Sequence, residues 1–69
     1  EKMSVLTERE RETASAIADG LDNPDIARRL DISVATVKAH TSSLFAKLEL
    51  RNRVQIALLV RDAEPSPGA

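Results

Sequence analysis

Three residues, Asp31, Ile32 and Ser33, separate two stretches that both carry helical apolar spacing, and no other feature constrains this 69-residue chain as tightly. A link that short has room for a tight turn and nothing else, so the two helices it joins must lie against each other. The first stretch, NPDIARRL, places Ile26, Ala27 and Leu30 on one side. The second, VATVKAHTSSLFAKL, repeats Val37, Leu44 and Leu48 at i, i+7 and i+11, with Phe45 beside them. A short helix, a tight turn and a longer helix make the helix-turn-helix pattern.

The signals at the helix ends agree with this division. Ser33 is placed to cap the longer helix, with Ile32 stapling onto Val37 at the fourth helical position. Asn23 is expected to cap the shorter one, with Pro24 first in the helix and Asp25 favouring its positive end. Upstream, Thr7 and Glu10 have the spacing of a capping box. That helix would turn Thr13, Ala14, Ile17, Ala18 and Leu21 inward and close at Gly20. Downstream, an Asn52 cap with Gln55 three residues later opens a fourth helix that runs to about Asp62. No segment reads as a strand. The expected fold is all-α, a compact four-helix bundle over residues 6–62, with the helix-turn-helix at about 23–42 and the fourth helix at about 53–62. Residues 1–5 read as a linker remnant and 63–69, ending EPSPGA, as a disordered tail. The chain opens on Glu1 with its first methionine at Met3, which reads as a fragment of something longer or as a processed chain.

Composition removes several function classes. No cysteine is present, so a disulfide framework or thiolate metal site is excluded, and the single histidine, His40, makes a catalytic zinc implausible. Neither a nucleophile–base pair nor a glycine-rich phosphate loop occurs, and Glu10, without a second carboxylate at a useful spacing, reads as a cap. The expectation is therefore a protein that is not an enzyme and has no catalytic, cofactor or metal site. With no apolar run near the roughly 20 residues of a membrane span and no signal-peptide pattern, the cytoplasm is the expected compartment.

Charge is small in sum and uneven in place. The chain carries a formal −1, yet the stretch from Arg28 to Arg53 carries +4 and the remainder −5. A polyanion responds to the local field, so an acidic pI does not exclude one. With Val37, Leu44 and Leu48 inward, the third helix offers Ala35, Lys38, Ala39 and Ser42 on its opposite side, and Thr36, Thr41, Ser43 and Lys47 on its flanks. Short side chains let a helix enter the major groove of DNA, about 12 Å wide. Lys38 suits guanine O6 or N7, the Ala39 methyl suits a thymine methyl, and Ser42 suits either kind of base edge. Thr36, Thr41, Ser43 and Lys47 suit phosphate oxygens. Against this stands the plain alternative of a solvated helix in a small bundle. His40 reads as a packed structural group ahead of a phosphate contact, and Arg28 and Arg29 as a solvated face ahead of phosphate contacts.

The fourth helix has too much apolar surface for one stripe. Val54, Ala57 and Leu58 point one way, and Ile56, Leu59 and Val60 another. One group belongs to the core; the other is a self-association face, or is covered by the tail or by protein outside this chain. Two copies joined there would present their reading helices to half-sites about 34 Å apart.

The segments LTERE, IADGLDNPDIARRLDIS, TVKAHTSSLFAKLEL and RNRVQIA resemble, in order and spacing, the DNA-binding domain of LuxR-type regulators, the FixJ/NarL class of bacterial transcription factors, from Leu6 to Arg61. The resemblance implies a four-helix bundle whose third helix enters the major groove and whose fourth forms a dimer contact, behind a receiver or small-molecule-sensing domain. Carried over by residue, base reading falls on Lys38, Ala39 and Ser42; phosphate contact on Asn23, Thr36, Thr41 and Lys47; and dimer contact on Val54, Ile56, Ala57, Leu59 and Val60. The implied partners are double-stranded DNA, a second copy through the fourth helix, an upstream regulatory domain and RNA polymerase, with no membrane. The chain departs from the family in places. Ser42 stands where some members are basic, and Pro24 where Lys is frequent. Thr13, Ala14 and Ala16 are smaller than the usual aliphatics, and Asp31 holds a turn position often given to Gly. A rival from another class, a helical protein-interaction adaptor docking through its fourth helix, predicts no DNA dependence on Lys38 or Lys47.

Overall fold

Every α-helix starts where the sequence offers an oxygen to the first free amides. The computed structural model describes residues 2–63. In α1 (Glu8–Ala18) the Thr7 hydroxyl accepts from the Glu10 N–H at 3.1 Å, and the Glu10 carboxylate accepts from the Thr7 N–H at 2.9 Å. This is the expected capping box. The helix closes through Gly20 at φ +86°, with the Gly20 N–H donating to Ile17 and the Leu21 N–H to Ala16, a Schellman closure.

In α2 (Asn23–Leu30) the cap is not Asn23 but Asp22, whose carboxylate accepts from the Asp25 N–H at 3.0 Å. Both residues carry a suitable oxygen. Tertiary structure decides between them, because Asn23 Oδ1 is occupied by Arg53 of the fourth helix. Asp31, at φ 57°, turns the chain out of α2, and the Ile32 N–H returns to the Ala27 carbonyl at 3.0 Å. Asp tolerates this left-handed conformation better than most residues.

Ser33 caps α3 (Val34–Leu48) by accepting from the Thr36 N–H at 3.1 Å. The helix closes at Glu49, φ 56°, a left-handed residue that nothing in the sequence announces. In α4 (Arg53–Ala63) Asn52 accepts from the Gln55 N–H at 3.0 Å, while the Gln55 side chain reaches back to the Arg51 N–H. Lys2–Val5 form a 3-10 turn at the position read as linker, and Ala63 still belongs to α4. The rest of the expected tail lies outside the described residues.

The helix α1 packs against α2, α3 and α4, and α2 packs against α3. Serving three partners requires more than one stripe. Glu10, Thr13, Ala14, Ala16 and Ile17 are all buried, a wider arc than periodicity alone suggested. Because α1 contributes mostly small side chains, its partners must fill the volume. Ile26, Val37, Leu44 and Ile56 are fully buried in one cluster, with Leu48 and Val60 nearly so.

This packing settles the division of α4. Ile56 and Val60, assigned from the sequence to the pairing surface, are core residues with no face to offer a partner. Val54 and Leu58, one helical turn apart, are 67% and 54% exposed. Ala57 and Leu59 lie half-buried between these two sets.

Candidate nucleic-acid interface

On α3 the buried side is set by Val37, Thr41, Leu44 and Leu48. At about 100° per residue, the side chains on the far arc are Ala35, Lys38, Ala39, Ser42 and Ala46, and all five are exposed. Four of the five are alanine or serine, so the backbone of α3 is open to close approach, with a single cationic side chain, Lys38, standing at one edge. The three expected base-reading positions therefore share one surface. Ala46, which extends it by a turn, went unnoticed in the sequence although it sits four residues after Ser42.

The expected phosphate residues are less uniform. Thr36 is half-buried and its hydroxyl lies 2.9 Å from the Ser33 hydroxyl, at the amino end of α3. Ser43 and His40 are half-buried on the same flank. Thr41 faces inward: it is 8% exposed and its hydroxyl donates to the Val37 carbonyl at 2.9 Å, so no group remains to meet a phosphate. Lys47 lies nine residues from Lys38, about two and a half turns away, and so on the opposite side of α3. Its ammonium donates to Glu10 Oε1 at 2.7 Å. Glu10 is thus both the partner of Thr7 in the capping box of α1 and the anchor of Lys47. Its carboxyl is held below the usual range first by the Lys47 hydrogen bond and then by the Thr7 N–H, against the opposing effect of burial. Asn23 is half-buried at the start of α2, with its oxygen accepting from Arg53 at 2.9 Å.

Ion pairing, local and tertiary, also redistributes the +4 counted between Arg28 and Arg53. Arg28 pairs with Asp25, Arg29 with Asp19 at 2.6 Å, and Lys47 with Glu10, all acids outside that stretch. Among the described residues, Lys38 and Arg51 enter no ion pair, and Arg53 is bonded to neutral acceptors. The positive field therefore comes from a few cations, with Lys38 on the cleared face of α3. Beside α4 runs a shallow groove lined by Ile17, Ala18, Leu21, Val54 and Ala57, continuous with the exposed Val54. Among the described residues, no cluster of His, Cys, Asp or Glu could hold a metal, and no helix is long and apolar enough to cross a membrane.

Residues 4–60 match the family described as bacterial regulatory proteins, luxR family. The nitrate/nitrite response regulator protein NarL of Escherichia coli K12 is 49% identical over 58 residues, covering 84% of this chain and 27% of that protein. The uncharacterized transcriptional regulatory protein YhcZ of Bacillus subtilis is 50% identical over 58 residues, again 84% of this chain and 27% of that one. The monoamine regulon transcriptional regulator of Klebsiella aerogenes is 45% identical over 53 residues, 77% of this chain and 23% of the relative. The chain spans about a quarter of the length of these relatives.

Proposed function

The chain belongs to the luxR family of bacterial regulatory proteins and is a DNA-binding regulatory domain of the helix-turn-helix type; from that premise we propose that it reads a specific duplex sequence through α3 and does so as a pair. The observation that carries the reading is the arc of Ala35, Lys38, Ala39, Ser42 and Ala46, exposed along a helix that α2 braces from behind. In the major groove Lys38 donates to guanine O6 or N7, the Ala39 methyl packs on a thymine methyl, and Ser42 bonds a base edge. Thr36 and Asn23 meet phosphate oxygens and set the register. Lys47 adds long-range attraction at most, since Glu10 already compensates it.

Pairing uses Val54 and Leu58 with the half-buried Ala57 and Leu59. Two copies joined there read an inverted repeat with half-sites about one helical turn apart. In the longer protein, a regulatory domain controls how often α3 and α4 are free. The response-regulator relative supports that arrangement.

Selection from a random duplex pool at moderate salt, followed by sequencing of the retained DNA, tests the reading. An inverted repeat is expected. If no motif emerges, repeating the selection with a fused dimeriser separates weak pairing from a wrong assignment. A fused dimer that still selects nothing overturns the DNA reading in favour of a protein-docking adaptor.

A further inference from the structure

The first residue of α4 reaches away from its own helix. Arg53 donates through Nη1 to Asn23 Oδ1 at 2.9 Å and through Nη2 to the Leu21 carbonyl at 2.8 Å. Both acceptors are neutral, one in the turn that leads into α2 and the other at the first residue of α2. The clasp therefore fixes direction and spacing and leaves charge uncompensated. All three residues are half-buried, which shields the bonds from exchange with water.

The chemistry of the two groups fixes how Asn23 faces. A guanidinium has only donors, so a carboxamide opposite it must present its oxygen. The NH2 is then turned the other way, and among the described residues nothing accepts from it. A phosphate oxygen only accepts, so an amide held in this orientation offers it the correct end, and a flipped amide the wrong one. Asp22, the neighbouring carboxylate, is engaged by the Asp25 N–H as the cap of α2.

We infer that Arg53 is a positioning residue for DNA binding: it clasps Asn23 and Leu21, holding the Asn23 NH2 ready for a backbone phosphate and tying the start of α2 to α4. This rests on the DNA reading above. It also assigns Arg53 a role other than direct contact with the polyanion.

The test uses the 69-residue chain and a short mixed-sequence duplex at low salt, because phosphate contacts form without sequence specificity. Affinity is measured for the native protein, Asn23→Ala, Arg53→Lys and the double variant, with thermal unfolding as the check on folding. Lys keeps the charge but is a compact point donor without the planar fork. Each single variant is expected to weaken binding about tenfold, the size of one hydrogen bond to a charged group. The double variant is expected to be no weaker than Asn23→Ala alone. A second measurement needs no variant. The chain has three side-chain carboxamides, Asn23, Asn52 and Gln55, so the Asn23 NH2 signals can be followed by NMR and should move on adding DNA. Additive losses would assign Arg53 its own contact and overturn the inference while leaving the DNA reading intact. So would an Asn23 NH2 unmoved while α3 amides shift. If no signal moves and no duplex binds, the DNA reading falls and the inference with it.

Discussion

Lys47→Met keeps the bulk of the side chain and removes the charge that faces Glu10. The Glu10 side chain is 8% exposed and that of Lys47 38%. Breaking a fully buried pair on one side costs about 3–5 kcal/mol, and an exposed pair is worth about 0–1 kcal/mol. With one partner buried and the other more than a third in solvent, screening brings the expected loss to about 2 kcal/mol. The Thr7 N–H remains to satisfy part of the stranded carboxylate. A domain of this size is stable by roughly 3–9 kcal/mol, so the loss is a large share. It lowers the unfolding midpoint by about 10 °C, at about 4–8 °C per kcal/mol. Circular dichroism melts at neutral pH measure it, with Lys38→Met, exposed on the opposite side of α3, as a control expected within about 0.5 kcal/mol of native. Acid titration gives a second readout. Glu10 is held below its ordinary value when folded, so the unfolded chain takes up this proton more readily. Its contribution is complete above about pH 4.5, the ordinary value, and is lost as pH falls through the folded value. The native protein should therefore lose more stability on acidification than Lys47→Met. A variant melting within about 2 °C of native, with the same acid dependence, would refute the assignment of Lys47 to Glu10.

The two sides of α4 should respond in opposite ways. Leu58→Glu is expected to leave the melting temperature nearly unchanged and abolish concentration-dependent pairing in sedimentation, whereas Ile56→Ala, in the core, should cost about 2–5 kcal/mol. Thr41→Val should leave DNA affinity and its salt slope unaltered in titrations at several salt concentrations, because the hydroxyl is already spent on Val37. Asp31→Gly should raise stability in denaturant melts by about 1 kcal/mol, relieving a left-handed non-glycine residue and removing a negative charge from the carboxyl end of α2. Glu49→Gly should do the same for α3.

Local chemistry determined much of this protein in the sequence itself. The Thr7–Glu10 box, the Gly20 closure, the Ser33 and Asn52 caps and the left-handed Asp31 are each set by residues within a turn of one another. The stripe of Val37, Leu44 and Leu48 orients α3, so the opposite arc of Lys38, Ala39 and Ser42 follows from helical period alone. The fold class and the exposed arc of α3 were legible for that reason. Tertiary structure decided what depends on partners far apart in the chain. Periodicity divides α4 into two apolar sides but cannot say which one α1 will cover, and the carry-over from the family resemblance placed Ile56 and Val60 on the pairing side although both are buried in the core. Counting charges could not reveal that Lys47 answers Glu10 or that Arg29 answers Asp19. Read from the sequence, the cap of α2 falls to Asn23. Arg53, 30 residues away, took the Asn23 oxygen and left the capping to Asp22. A side chain near the chain's own turns answers to local geometry, while one that several helices compete for answers to the packing that brings them together.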